Sequence, residues 1–101
     1  MSNPVRGEAS LVIGGAAHLL RPTFDALCQA EEELGPLFAL VERAGEGQLK
    51  LAEMAALFWH CLADRAEVTR DGVGEAVLAL GLAEAAKPLR VLLGEILRGK
   101  T

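Results

Sequence analysis

Glycine and proline divide this chain into short segments, and this division limits the possible folds more than any other feature of the sequence. The breaks fall at Gly14-Gly15, Gly35-Pro36, Gly45-Glu46-Gly47 and Gly81, between stretches with regular hydrophobic spacing. Glycine favours turns and helix ends, whereas proline suits the first residue of a helix. The sequence therefore predicts several short elements, and its 101 residues suffice for one domain, 1–101, with one core.

Residues 7–22 form a predicted β-hairpin. Two strand-like runs, 8–13 and 16–21, flank Gly14-Gly15, a pair typical of two-residue hairpin turns that require positive φ. This loop length sets the pairing as Ile13 with Ala16, Leu11 with His18, Ala9 with Leu20, and Glu8 with Arg21. Ala9, Leu11, Ile13 and Leu20 then share one face. Because an isolated hairpin is marginal in water, we expect it to pack on helices.

Residues 23–99 carry helical spacing of apolar side chains. Thr23 and Thr69 are predicted N-caps. The segment 51–64 is the most apolar and is predicted to be the central helix. The last helix covers about 83–98, and Pro88 either kinks it or marks its true start. The inner face of the first helix is assigned to the following side chains: Phe24, Leu27, Cys28 and Leu34.

The predicted fold class is α+β and mostly helical. An N-terminal hairpin precedes about five short helices, which pack round the central apolar helix. Residues 1–6 are predicted to be a flexible arm.

Charge and hydropathy exclude two classes of partner. The net charge is −4, with ten basic and fourteen acidic residues, and the arginines are scattered, so we expect no nucleic-acid binding. No apolar run approaches the roughly 20 residues of a membrane span, and the N-terminus lacks the pattern of a secretory signal. Cys28 and Cys61 lie far apart without a CxxC motif and are predicted to be buried, reduced thiols. A cytoplasmic location follows as an expectation.

Candidate catalytic and metal-binding residues are few. The only histidines are His18 and His60, and neither has the spacing to a cysteine that a nucleophilic site needs within one element. Glu53, His60 and Asp64 share one narrow side of the central helix, yet a metal site requires further ligands. The simpler interpretation is a solvated stripe. We therefore predict a non-enzyme without catalytic residues, cofactor or metal.

Two features instead suggest partner binding. Glu31-Glu32-Glu33 lies near a predicted helix C-terminus, where the helix dipole disfavours acids. A solvated face explains the run most simply, and docking of a basic partner segment is the alternative. The helices also carry more apolar surface than a small domain buries alone, although core packing is the simpler role for each residue. The predicted partner-binding residues are Glu31, Glu32, Glu33, Trp59, Leu93 and Leu97.

Several local motifs together resemble a known family. They are the opening Asn3-Pro4-Val5-Arg6-Gly7-Glu8, the hairpin through Gly14-Gly15, the segment 20–27 (LRPTFDAL) and Glu31-Glu32-Glu33-Leu34-Gly35. This order is similar to the gene transfer agent family of phage-type tail proteins. The resemblance covers nearly the whole chain and is sharpest over residues 3–35. After the central helix the chain departs from the family pattern, with Asp64-Arg65-Ala66-Glu67 in place of a more glycine-rich turn.

The resemblance implies a role in tail assembly. It suggests a tail assembly chaperone that binds the tape measure protein, a long helical chain that must stay soluble until tube subunits polymerise round it. Other tail proteins are further implied partners, and a homo-oligomer is possible. The alternative is a structural tail tube component, although tube subunits usually stack β-sheets and this chain predicts only one hairpin. The family has no catalytic residues to transfer to this sequence.

Overall fold

The structure, a computed structural model, describes residues 9–99. Its elements are β1 (Ala9–Ile13), β2 (Ala16–Leu20), α1 (Phe24–Leu34), α2 (Leu37–Gly45), α3 (Leu51–Cys61), α4 (Arg70–Leu80) and α5 (Leu82–Arg98). The predicted α+β, mostly helical class is confirmed, with one hairpin followed by helices. The predicted arm 1–6 and the predicted pairing of Glu8 lie outside the described residues.

The hairpin has the predicted register. Ile13 pairs with Ala16, Leu11 with His18 and Ala9 with Leu20 in an antiparallel ladder. Both turn glycines have positive φ, 59° at Gly14 and 85° at Gly15, as a type I′ turn requires. The predicted inner face is buried at Ala9, Leu11 and Leu20, and β1 packs against α4 and α5. The hairpin therefore closes one side of the helical core.

The end of α3 differs from the prediction. The helix stops at Cys61, not near Asp64, because Leu62 adopts an extended conformation and forms a β-bridge with Leu20. Arg21 N donates to Cys61 O at 2.6 Å, and Ala63 N donates to Leu19 O at 2.9 Å. These bonds satisfy backbone groups that helix termination would leave unpaired. They also attach the hairpin directly to the central helix.

α3 is the central element of the core, as predicted. Its side chains Met54, Leu57, Phe58 and Cys61 are buried, and the helix packs against α1 and α4. At its start, Glu53 Oε1 accepts a hydrogen bond from Lys50 N at 2.9 Å, which satisfies one free donor of the first turn.

Both predicted threonine caps are present. Thr23 Oγ1 accepts from Ala26 N at 3.1 Å, and Thr69 Oγ1 accepts from Gly72 N at 2.9 Å. Gly81, with a φ of 95°, ends α4. The next helix, α5, runs continuously from Leu82 through Pro88, so this proline does not mark the helix start.

The predicted inner face of α1 is wrong at two positions. Phe24 is 85% exposed, and the free thiol of Cys28 is exposed as well. The buried stripe instead runs through Leu27, Ala30 and Leu34, which are spaced three and four residues apart and contact the core. Phe24 and Cys28 lie a quarter turn or more from the centre of that stripe. Cys61 is buried and free, as expected.

Among residues 9–99, every helix is too short or too polar to cross a bilayer.

Replacing the buried phenylalanine of α3 tests this core assignment. We expect Phe58→Ala to lower the free energy of unfolding by about 3–5 kcal/mol, because Phe58 is fully buried and its removal leaves a cavity. Phe38→Ala is the matched control, since Phe38 is 82% exposed, and it should change stability by about 0.5 kcal/mol or less. Urea denaturation followed by circular dichroism measures both; equal losses would contradict the packing.

Candidate functional site

Four of the six predicted partner-binding residues, Glu31, Glu33, Trp59 and Leu97, lie in two surface regions. One is the Glu33 cluster, formed by Glu33, Trp59, His60, Arg65 and Arg70 where α1, α3 and α4 meet. The other is the α2–α5 groove, which is lined by Glu31, Leu37, Phe38, Val41, Ile96 and Leu97. The two regions differ in chemistry: the cluster is held by charge, and the groove is apolar.

The Glu33 carboxylate joins three helices. Its Oε1 lies 2.9 Å from His60 Nε2, and its Oε2 lies 2.5 Å from Arg70 Nη1. Because an ionised carboxylate only accepts, Nε2 of His60 carries the proton and donates it. Arg70 Nη2, which lies 3.3 Å from the same nitrogen, is then in contact with another donor and makes no hydrogen bond to it. The Glu33 carboxylate is therefore the hydrogen-bonding group that links His60 to Arg70.

Trp59 lies against the cations of the same cluster. The guanidinium carbons of Arg65 and Arg70 are 4.4 Å and 4.6 Å from the centroid of its ring. These distances suit cation–π attraction. The His60 ring meets the indole edge-on, with centroids 5.3 Å apart. The half-buried Trp59 therefore already packs against two arginines of its own chain, which limits the surface that it offers to a partner.

The cluster changes the acid–base behaviour of Glu33. Hydrogen bonds from Arg70 and then His60 lower the pKa of its carboxyl from 4.5 to about 2. The same carboxylate raises the pKa of Arg70 through its hydrogen bond. Glu33 is consequently ionised at any pH at which the domain would normally work.

The acidic run has structural partners at two of its three positions. Glu33 belongs to the cluster, and Glu31 Oε2 accepts a hydrogen bond from Leu37 N, at 2.9 Å, at the start of α2. Glu32 is exposed on α1. These contacts explain why acids occur near a helix C-terminus, where the dipole disfavours them. No local sequence pattern indicates either contact, because both partners lie in other elements.

The α2–α5 groove has a volume of about 220 Å³. Leu40 points inward from α2 and is fully buried, while Leu37 and Val41 lie half-buried on the flank that faces α5. Phe38 is 82% exposed and Leu97 is 56% exposed at the groove. Such an apolar groove is typical of surfaces that receive an apolar side chain of another protein. Phe38 was not among the predicted site residues, although its position off the inner stripe of α2 was a usable signal.

The structure does not bring the predicted partner-binding residues together at one site. Leu97 and Glu31 come together in the α2–α5 groove, and Trp59 and Glu33 come together in the cluster. Leu93, by contrast, is only 9% exposed and contributes to the core, so it presents almost no surface. Partner binding by this set stays a prediction.

The expected solvated stripe on α3 is wrong. His60 is buried in the cluster, Glu53 forms an ion pair with Arg43 at 2.7 Å, and Asp64 lies beyond the end of the helix. Arg43 lowers the pKa of Glu53 by hydrogen bonding. Within residues 9–99, histidine, cysteine and acidic side chains nowhere gather in threes that could hold a metal ion.

The two thiols differ in their environment. Burial, and secondarily the charge of Glu95, raise the pKa of Cys61 to about 12, so its thiol stays protonated at neutral pH. Cys28 is exposed on α1.

The Glu33 cluster makes stability depend on pH. The folded-state pKa is depressed, so the stabilisation is present above about pH 4.5 and is lost as the pH falls towards 2. We expect Glu33→Gln to lower the unfolding free energy at pH 7 by about 1 kcal/mol, a value discounted for solvent screening. The side chain is 38% exposed. Chemical denaturation at pH 7 and near pH 2 measures the change, which should be much smaller at the lower pH.

The neighbouring substitution Glu32→Gln is the control, since Glu32 is exposed beside Glu33 on the same helix. It should leave stability at pH 7 unchanged. Equal destabilisation by the two substitutions would rule out a specific role for the cluster.

Thiol labelling tests the difference between the cysteines. In the folded protein, Cys28 should react with a maleimide and Cys61 should react only after denaturation, because Cys61 is buried and protonated. Mass spectrometry of the labelled chain should show one modification before denaturant and two after it. The Cys28→Ala variant, as a control, should remain unlabelled while folded.

Comparison with known proteins identifies a family. Residues 6–99 match the profile of a family described as "Phage tail tube protein, GTA-gp10". No curated protein and no solved structure matches the chain.

Proposed function

The chain belongs to the GTA-gp10 phage tail tube protein family, and from this membership we propose that it is a structural component of the tail of a gene transfer agent particle. The observation that carries the proposal is the extent of the match, residues 6–99, which includes every described strand and helix. The family description favours this role over the chaperone role that the sequence motifs alone implied.

The surface chemistry supports a role in protein assembly. Tail proteins contact other tail proteins, and this chain exposes apolar side chains such as Phe24, Phe38 and Leu97. Phe38 and Leu97 lie together at the α2–α5 groove, and a contiguous apolar surface of this kind often marks a site of protein contact. In our proposal the α2–α5 groove is one surface that another tail protein covers. The proposal includes no catalytic step.

A second candidate function is that of a tail assembly chaperone for the tape measure protein. The specific observation in its favour is the mostly helical fold, in which residues 9–99 contain a single two-stranded sheet. A subunit that builds a wall of stacked sheets would need more strands. The α2–α5 groove would then receive an apolar anchor from an amphipathic helix of the client.

Particle composition tests the proposal and separates the two candidates. In cells that produce the particle, we expect the chain to co-purify with intact particles in many copies, because structural tail subunits repeat along the tail. Quantitative mass spectrometry of purified particles, with another tail protein as internal standard, measures the copy number. Deletion of the gene should yield particles without complete tails.

Absence of the chain from purified particles would overturn the structural role. If the tape measure protein then aggregated in the deletion strain and became soluble when this chain was supplied again, the chaperone role would replace it. A Phe38→Asp variant provides a matched test of the groove, since the exposed ring contributes little to the core. We expect it to fold normally and to fail to support tail formation.

A further inference from the structure

A second groove, which the sequence motifs do not indicate, lies between α3 and α4. This α3–α4 groove has a volume of about 470 Å³. Small side chains form much of its floor, and two exposed leucines, Leu51 and Leu78, lie at one end, 41% and 60% exposed. Asp71 and Glu75 lie on the same face of α4 as Leu78, at spacings of seven and three residues. Arg70 lines the groove as well, but it is paired with Glu33. The unpaired charges on the α4 wall are therefore acidic, and the wall is apolar near its end.

Two of the three acids that line this groove are available to a cation, whereas the third, Glu33, is paired with Arg70 and His60. Asp71 and Glu75 are both exposed, and neither forms an ion pair within residues 9–99. A helix that binds here would be complementary if it carried a positive charge beside the acids and an apolar side chain beside the leucines.

The outward face of α5 in this same chain carries such a positive charge and such an apolar side chain. Arg90 is exposed and has no carboxylate partner in the described part of the chain, and Leu97 is 56% exposed. Seven residues separate Arg90 from Leu97, and seven also separate Asp71 from Leu78 on α4. Seven residues are close to two turns, so each pair lies on one side of its helix, with a rise of about 10.5 Å. The charged and the apolar positions of the two helices can therefore meet at the same time.

We propose that α5 of one copy docks in the α3–α4 groove of a second copy, parallel to α4. Arg90 then lies beside Asp71 and Glu75, and Leu97 packs between Leu51 and Leu78.

The docking joins two different surfaces, so it is heterologous. Each added copy carries a free groove and a free α5 face, and such contacts build rings or filaments rather than closed dimers. This inference rests on the proposed structural role, for which it names a second copy of the chain as the partner. The opposed charges predict that salt weakens the association, because exposed ion pairs are screened.

Charge reversal on each surface tests the docking. Sedimentation velocity of the full chain, from micromolar to millimolar concentration at low salt, should show species larger than the monomer. Asp71→Lys and Arg90→Glu should each weaken this association at least about tenfold, because each places like charges opposite one another. An equimolar mixture of the two variants should restore it, since the reversed groove then meets the reversed helix. Glu75→Lys supplies an independent reversal of the groove.

Glu67→Lys is the control, because it makes the same change of charge at an exposed loop position outside the groove. It should associate like the natural chain. The proposal is overturned if the chain is monomeric throughout, if the reversals have no more effect than the control, or if mixing restores nothing. A chain that is monomeric in solution yet repeated in purified particles would refute the docking and keep the structural role. Self-association of a chain that is absent from purified particles would support the docking and refute the structural role.

Discussion

Burial of the apolar side of α3 is the constraint on which the rest of the structure depends. Phe58, Leu57 and Cys61 are fully buried in one helix of eleven residues, so its surroundings must supply apolar cover on several sides. α1 and α4 supply it along the helix, and the hairpin is hydrogen-bonded to its end. Because a domain of this size has little other core, these elements fold as a unit or not at all.

The parts of the fold that the sequence predicted are those that local chemistry decides. Positive φ at Gly14 and Gly15 fixes a two-residue turn, and the turn fixes the register of both strands. Thr23 and Thr69 satisfy donors within their own helices. In each case the residue and its partner lie within a few positions, so the sequence contains the whole interaction.

The errors have the opposite character, since each depends on contacts between distant residues. α3 ends early because Leu62 pairs with Leu20, and no local signal at Asp64 reveals that competing strand. The spacing of His60 suits a solvated side of α3. Its side chain is nevertheless buried and hydrogen-bonded to Glu33, which lies 27 residues away in the sequence. Phe24 and Cys28 fall outside the buried stripe because apolar character alone does not define which way α1 faces. A partner-binding surface is harder still to predict from the sequence, because it exists only after the helices have packed together.

A short chain with a very apolar central helix cannot also bury every flanking apolar side chain. Once α3 is covered, α2 and α5 keep one face each for solvent, and Phe38 and Leu97 remain exposed there. In a protein that works alone such exposure is a liability, because apolar patches associate without specificity. In a repeated tail subunit the same exposure is useful, since the area left open by the monomer becomes the area buried on assembly. In the docking that we propose, the charges on α4 and α5 set which faces meet and in which register, a selectivity that apolar contact by itself does not provide.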